Sequence, residues 1–367
     1  MPERILVYGM TGTRGGVESY IMNFLRHFDP VQIQFDFVIS DDVMACTDDA
    51  QKLGAQIYHV PRITASPLGH IRAFKKILKD HPEYKTVYYN INSAFSCVAM
   101  IAARLTHRRR VAHSHNAYVE SRKLLHILFR PLLNALSDVR LACSDKAACF
   151  MFGEKAYRDG KVIIIKNAIE LDQFQFDAHT RERMREDMGL ADKLIIGHVG
   201  RFTPQKNHKR LIEIFKAVHD RNTEAVLLLA GEGEDEQTVR NQVDQLGLVE
   251  SVRFLGVRRD INQLMQAMDV FLLPSLFEGL PIVGVEAQAA GLHCVFADTI
   301  TRQADISGNV TFLSLDQDNA CWAEQILQPV SMERCQGAER AREAGYDINV
   351  AAARLAGILC NQKEKAD

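Results

Sequence analysis

The sequence lacks the marks of a cross-linked or metal-built scaffold. Its eight cysteines (Cys46, Cys97, Cys143, Cys149, Cys294, Cys321, Cys335 and Cys360) are scattered, with no CxxC pair and no Cys/His cluster at zinc spacing. They read as small apolar residues of a reducing compartment. No run of about 18 apolar residues occurs, which excludes a membrane-spanning helix. Met1-Pro2-Glu3-Arg4 leads straight into Ile5-Leu6-Val7-Tyr8, an apolar run too short for a signal-peptide core. A cytoplasmic chain is therefore expected. Charge of one sign is also missing: 44 Lys and Arg stand against 46 Asp and Glu, a net of -2. A dedicated nucleic-acid binder would be strongly basic, so no nucleic-acid partner is expected. Low-complexity tracts and sequence-level internal repeats are absent as well.

What is present suits two globular domains. The chain has 367 residues, 47% hydrophobic and 25% charged, enough for two buried cores. Short apolar runs alternate with amphipathic helical stretches, the pattern of a parallel sheet covered on both faces. Strands are predicted near residues 4–8, 35–39, 56–59, 86–90, 110–113, 141–144 and 162–165. A second series is predicted at 193–199, 225–230, 252–255, 270–273 and 293–297, the last closing the sheet. Helices are expected at 17–27, 207–219, 235–246, 261–267 and 281–290. The charged run Arg181 to Asp187 reads as a surface helix opening the second half. The fold class is α/β, with two Rossmann-like, doubly wound domains. The predicted division is 1–177, 178–345, and a C-terminal helix within 346–367 packing back on the first domain. Ligands of such sheets bind outside the carboxyl ends of the strands, so a cleft between the domains is expected.

Four sequence signals carry chemistry, all in the second half. The first is Leu276-Phe277-Glu278-Gly279-Leu280-Pro281-Ile282-Val283-Gly284-Val285-Glu286 after the strand at 270–273. Glu278 falls in the strand-to-helix turn and Glu286 about two turns into the helix. Gly279 admits close approach of a ligand, Pro281 suits the first helical position, and free N–H groups from Gly279 to Val283 favour an anion. Two carboxylates there suit hydroxyls of a sugar and a ribose. The second is Gly200-Arg201-Phe202-Thr203-Pro204-Gln205-Lys206-Asn207 at a strand end. A forked guanidinium and a point-charge ammonium on one loop suit a diphosphate. The third is the Gly231-Glu232-Gly233 turn. The fourth is Phe254-Leu255-Gly256-Val257-Arg258, where exposed backbone suits a base edge.

In this order and spacing the signals resemble glycosyltransferase family 4, strongly over residues 195–300. The resemblance extends more loosely to Gly15-Gly16-Val17-Glu18 and Asn167-Ala168-Ile169-Glu170. It implies a retaining GT-B enzyme of the bacterial polysaccharide type that takes a nucleoside-diphosphate sugar, a UDP-sugar above all, as donor substrate and needs no separate cofactor. By family implication Arg201 and Lys206 hold the donor phosphates, Glu286 the ribose, and Glu278 the transferred sugar. Gly231, Gly279, Leu280, Pro281, Ile282 and Val283 line the donor site, Gly16 lies near the diphosphate, and Val257 with Arg258 packs on the base. The chain departs from the family pattern at Ala168, Glu170, Leu280 and Pro281, and Pro281 lacks one backbone donor.

After the strand near residue 113 comes His113-Ser114-His115-Asn116, and the family places a histidine at such a strand end. His115 is preferred and His113 is the alternative. The acceptor hydroxyl is expected to attack on the leaving-group face while a donor phosphate oxygen takes its proton. Catalysis would then rest on Arg201, Lys206, Glu278 and His115 as positioning and electrostatic groups. No metal site is expected, and Asp316-Gln317-Asp318 reads as a solvated turn. From Arg104 to Arg130, seven Lys and Arg stand against one Glu, ending in Arg122-Lys123-Leu124-Leu125-His126-Ile127-Leu128-Phe129-Arg130. Such a segment suits either an ordinary helix face or peripheral contact with an anionic membrane. The expected partners are the donor and a glycan or lipid-linked acceptor. Two alternatives stay open: a sugar-nucleotide epimerase of the same fold, and a non-catalytic nucleotide-sugar-binding subunit.

Overall fold

Apolar runs of two to seven residues, bounded by turns, form the parallel strands, and the amphipathic stretches between them form the crossover helices. The computed structural model describes residues 2–13, 15–116, 118, 123–328 and 333–362. In the first half the elements run β1 (Glu3–Tyr8), α1 (Gly16–His27), β2 (Ile33–Ile39), α2 (Thr47–Lys52), β3 (Ile57–His59), α3 (Pro67–Asp80) and β4 (Thr86–Ile91). They continue with α4 (Met100–Leu105), β5 (Arg109–Ser114), α5 (Lys123–Leu136), β6 (Val139–Ala142), α6 (Asp145–Phe152), α7 (Glu154–Arg158) and β7 (Ile163–Ile164). The strands make one parallel sheet in the order β3-β2-β1-β4-β5-β6-β7. Alternate side chains feed the two faces: Ile5 and Val7 of β1 join the core under α1, and Leu6 joins the opposite core under α3.

The second half begins with α8 (Leu171–Phe174), α9 (Ala178–Asp187), β8 (Leu194–Val199), α10 (His208–His219), β9 (Ala225–Ala230) and α11 (Glu236–Gln245). Then follow β10 (Val252–Phe254), α12 (Ile261–Ala267), β11 (Val270–Leu273), α13 (Ile282–Ala289), β12 (His293–Ala297), β13 (Val310–Leu313), α14 (Asn319–Ile326) and α15 (Gly337–Glu343). The parallel sheet has the order β10-β9-β8-β11-β12-β13. Residues 227 and 229 of β9 enter one core, 228 and 230 the other.

The chain divides into two units, Met1–Ala168 with Ile348–Asp367, and Ile169–Asp347. The returning segment is α16 (Ile348–Leu359), whose Ile348, Ala352, Leu355 and Leu359 complete the core shared by β1 and α1. Arg109 donates to the carbonyls of Ile358 (2.6 Å) and Leu359 (3.1 Å), tying off the helix end. The division thus lies upstream of the expected residue 177, because Ile169, Leu171 and Phe174 are buried in the second unit's core.

One further reading is corrected and one is extended. The sheet does not end at β12: β13 pairs with it in parallel, and a four-residue edge strand leaves little periodicity to read. The charged run at 181–187 forms the expected surface helix, with Glu182, Arg183, Glu186 and Asp187 exposed, and two of its arginines also anchor it. Arg181 and Arg185 both reach Asp269, and Arg185 also donates to the Ala267 carbonyl (2.9 Å), so α9 is clamped to the end of α12.

Candidate active site

In the second unit β8 lies between β9 and β11, so the crossovers leave it in opposite directions and its carboxyl end is the topological switch point. The loops after β8 and β11 therefore meet there, and they carry Arg201 with Lys206 and Glu278 respectively. Three bonds staple the two loops: Leu276 N–H to the Gln205 carbonyl (2.9 Å), Gln205 Nε2 to the Phe277 carbonyl (3.0 Å) and Asn207 Nδ2 to the Pro274 carbonyl (3.1 Å). The Lys206 ammonium donates to Glu278 Oε1 at 2.6 Å, with both side chains largely buried. Glu278 is further fixed by a parallel bridge to Ile300. Arg201 is exposed and has no ion-pair partner among the described residues. Glu286 is half-buried on α13, its carboxyl has no hydrogen-bond partner among the described residues, and burial pushes it up to about 7.

Neighbouring turns are layered by backbone. Gly231 has φ +138°, and a Cβ there would sit 2.1 Å from the Gly200 carbonyl oxygen; one at Gly233 would sit 2.4 Å from that of Phe202. Only glycine allows these turns to stack so closely beneath the Arg201–Lys206 loop. Under the same loop lie His198, fully buried, and His208, with rings 4.8 Å apart. Burial, with help from the Lys206 charge, holds His208 down at about 4 and His198 well below its ordinary value. Both imidazoles are thus neutral beneath a cationic loop.

Pro281 is the N-cap of α13 and not its first helical residue. Its ψ of 110° is extended, and its carbonyl accepts from the N–H of Gly284 (2.9 Å) and Val285 (3.2 Å). The N–H groups of Ile282 and Val283 open the helix without intrahelical acceptors. The side chains of Leu280, Ile282 and Val283 pack inward, so this segment offers backbone to a ligand. Gly279 is exposed with open space beside it. Val257 is 66% exposed, as a base platform requires. Arg258 is engaged by its own turn, donating to Asp260 Oδ1 at 2.8 Å and to Oδ2. Asp318 caps α14 by accepting from the Cys321 N–H (2.8 Å), a structural use of the Asp-x-Asp pattern.

The first unit's switch point lies between β1 and β4. Buried Glu18 holds the turn there: Oε1 accepts from Thr11 N (3.0 Å) and Thr11 Oγ1 (2.8 Å), and Oε2 from Gly15 N (3.0 Å). Gly16 opens α1 with nothing within 4 Å of a built Cβ, and Arg14 lies outside the described residues. His113 is fully buried against Tyr20 and Tyr88. His115, one step past β5, is partly exposed, with Nε2 2.8 Å from Asn90 Oδ1 and burial lowering it to about 3.

Sequence reading missed Asn90, the staples made by Gln205 and Asn207, and the latch role of Glu18. The Lys-Asn pair at 206–207 and the Glu three residues after Gly15 were the available signals. Nothing in the sequence pointed to Asn90.

Comparison with known proteins bears on both units. The family model for glycosyl transferases group 1 matches residues 180–346, and that for Glycosyltransferase Family 4 matches residues 14–173. EpsF of Bacillus subtilis, which its name assigns to the glycosyltransferases, is 33% identical over 364 residues, covering 96% of this chain and 95% of its own. An Escherichia coli enzyme named as a UDP-Gal:alpha-D-GlcNAc-diphosphoundecaprenol alpha-1,3-galactosyltransferase is 29% identical over 245 residues, covering 62% of each. Among solved structures, Anabaena HepE in complex with UDP superposes with a TM-score of 0.81 at 20% identity, covering 98% of this chain and 100% of that one. With both units matched and a relative aligned over nearly its whole length, the chain belongs to glycosyltransferase family 4 and has the GT-B fold.

Proposed function

We propose that this glycosyltransferase is a retaining, metal-independent enzyme that moves a hexosyl or N-acetylhexosaminyl group from a UDP-sugar to a glycan or lipid-linked acceptor. It would work in surface polysaccharide assembly, at the cytoplasmic face of the membrane. One observation carries the donor reading: the Lys206–Glu278 pair at the β8/β11 switch point, with Arg201 exposed on the same loop and without an ion-pair partner among the described residues. A cation already balanced by a carboxylate can exchange that partner for a diphosphate. Glu278 is then released toward sugar hydroxyls, and Arg201 adds a planar fork to the phosphates. Two cations there do the charge-neutralising work otherwise done by Mg2+, which supports metal independence. The half-buried carboxyl of Glu286 suits a ribose diol, Gly231 and Gly279 to Val283 the sugar and phosphate surroundings, and Val257 with its turn the base. Arg258 is the weakest member, since it is already paired. By the same reading Gly16 serves the diphosphate and His115 the sugar. The acceptor oxygen bonds to the anomeric carbon, the bond to the β-phosphate oxygen breaks, and the acceptor proton passes to a phosphate oxygen of departing UDP.

Support for the donor and acceptor classes comes from the relatives, one named for UDP-Gal and a diphosphoundecaprenol acceptor, others for amylovoran and capsular polysaccharide biosynthesis. The test is a screen of nucleoside-diphosphate sugars by nucleotide release, repeated on Lys206→Ala and Glu278→Ala. Turnover of a UDP-sugar lost in both variants is expected. Release from a different nucleotide's sugar would overturn the UDP assignment. Turnover that persists undiminished without acceptor and yields an isomerised sugar would favour the epimerase. A linkage of inverted anomeric configuration would overturn retention.

A further inference from the structure

The carboxyl ends of β4 and β5 hold a polar cluster of which the donor reading uses only His115. Asn90 and His113 are register partners in the parallel pairing of these strands. Side chains alternate along β4, so Asn90 shares a face with Tyr88, which lies in the core under α1. Asn90 is 3% exposed. Gly9 of the neighbouring strand end pins its backbone, since a Cβ on Gly9 would lie 2.1 Å from the Asn90 carbonyl oxygen. The Asn90 side chain is thereby fixed at the strand end, and its Oδ1 lies 2.8 Å from His115 Nε2. The His115 ring is boxed by the rings of His113 (4.3 Å) and Tyr20 (4.7 Å), and Cys143 Sγ donates to its carbonyl at 3.6 Å.

The groups around this ring are all neutral. Burial raises the Tyr20 phenol of α1 well above its ordinary value and pushes the Cys143 thiol beyond β6 up to about 11. Burial also holds His113 of β5 well below its ordinary value and lowers His115 itself to about 3. A neutral imidazole has one N–H and one lone pair, and the bond made by one nitrogen decides what the other presents. An amide oxygen only accepts. Facing Asn90 Oδ1, His115 Nε2 therefore carries the hydrogen and Nδ1 keeps the lone pair. His115 Nδ1 and Asn90 Nδ2 are both buried without a hydrogen-bond partner among the described residues. Leaving such atoms unmatched is costly, so a complementary group is expected to meet them. His113, fully buried, is out of reach of a ligand, whereas His115 is partly exposed at the strand end.

We propose that Asn90 is a positioning residue of the transfer reaction: its amide oxygen fixes the His115 tautomer, so that Nδ1 accepts from a hydroxyl of the transferred sugar. Nδ1 is covered in this state, and the sugar reaches it as the neighbouring side chains part. The proposal rests on the reading of His115 as a donor-sugar residue. The experiment joins nitrogen NMR of the full chain, labelled at histidine, to turnover of the UDP-sugar by nucleotide release. The His115 signals are identified by their loss in His115→Gln. Wild type should show a hydrogen on Nε2 and a lone pair on Nδ1 from about pH 5.5 to 8. Asn90→Ala should populate the other tautomer and lower kcat at least about tenfold, with the donor KM moved less than about threefold. Asn90→Asp keeps an acceptor in place, so turnover at about pH 8 should return to within a few-fold of wild type. Its carboxylate favours the imidazolium and raises the His115 pKa. The neutral ring, and turnover with it, should then be lost at a higher pH than in wild type as the pH falls. A merely structural Asn90 would change the melting temperature without moving the tautomer or the acid limb. A hydrogen on Nδ1 in wild type, an unchanged tautomer in Asn90→Ala, an acid limb of Asn90→Asp that coincides with wild type, or a His115→Gln variant with full turnover overturns the proposal. A tautomer that behaves as stated in a chain that turns over no UDP-sugar upholds the hold of Asn90 on His115 and sinks the donor reading instead.

Discussion

The two units solve one problem with different groups, a buried carboxylate in the first and uncharged backbone and amide contacts in the second. Each is a doubly wound parallel sheet whose first strand sits at the switch point, and each must hold a loop rigidly over that strand end. In the first unit a buried carboxylate does this: Glu18 gathers three donors from Thr11 and Gly15. In the second unit the holding is done by backbone stacking at Gly231 and Gly233 and by the staples from Gln205 and Asn207. That leaves the polar side chains Arg201, Lys206, Glu278 and Glu286 available for chemistry. A loop latched by its own acid has spent that acid on structure. A loop latched by glycine contacts keeps its ionisable groups for a ligand.

The sharpest test of this contrast is Lys206→Ala. Loss of a cation from the diphosphate should lower UDP-sugar turnover by about a thousandfold, roughly 4 kcal/mol. It should also destabilise the fold by stranding Glu278. The double variant Lys206→Ala/Glu278→Ala should recover stability but not turnover, as read by calorimetry beside the release assay. If turnover survives in the single variant, the second unit's charges are structural too and the contrast collapses.

Next come the glycines. Gly231→Ala would force a Cβ against the Gly200 carbonyl at φ +138°, and Gly9→Ala would meet the Asn90 carbonyl at the same 2.1 Å with φ +115°. Each should cost roughly 3 to 4 kcal/mol in denaturant unfolding. Gly16→Ala, with open space around it, should leave stability unchanged; a large loss there would show a crowded site.

Glu286→Gln gives a smaller effect with a distinctive pH dependence. The folded carboxyl keeps its proton to about pH 7 against an ordinary value of 4.5. The folded chain therefore binds the extra proton between those values, and stability falls as pH rises from about 4.5 to 7. The Gln variant should escape that loss and exceed wild type by up to about 3 kcal/mol above pH 7, matching it at pH 4. Ribose hydroxyls favour the carboxylate, so UDP binding should release a proton near pH 7 in wild type and none in the variant, as calorimetry in buffers of differing ionisation enthalpy would detect. The smallest effect is expected from Glu18→Ala, about 2 kcal/mol in the first unit's stability, with the UDP-induced melting shift preserved. Loss of that shift would move Glu18 from latch to ligand-binding group.

Much of this arrangement was legible in the sequence, and the remainder had physical reasons to be hidden. Strands 225–230, 270–273 and 293–297 are read to the residue because runs buried on both faces are apolar, His293 at the start of the last being the exception. The placement of Arg201, Lys206 and Glu278 on the turns after β8 and β11 was legible because spacing and turn chemistry are local. The Lys206–Glu278 pair was not, since 72 residues separate its members and only the β8–β11 adjacency brings them together. Pro281 was placed one position too far along because a proline suits both the cap and the first turn. The leucines of α5 look like core at helical spacing, yet Leu124 and Leu128 are exposed, because the bonds of His126 to Ala94 and Phe150 fix which face is left over.

The return of α16 to the first unit has a consequence for assembly of the chain. The second unit is an insertion within the first, and its whole sequence leaves the ribosome before the helix that the first unit's core needs. Order of synthesis is therefore inverted in order of completion: the later-encoded unit can close while the earlier one still waits with the surface of β1 and α1 uncovered. A chain ending at Asp347 should accordingly resist protease across its second unit and be cut freely in its first.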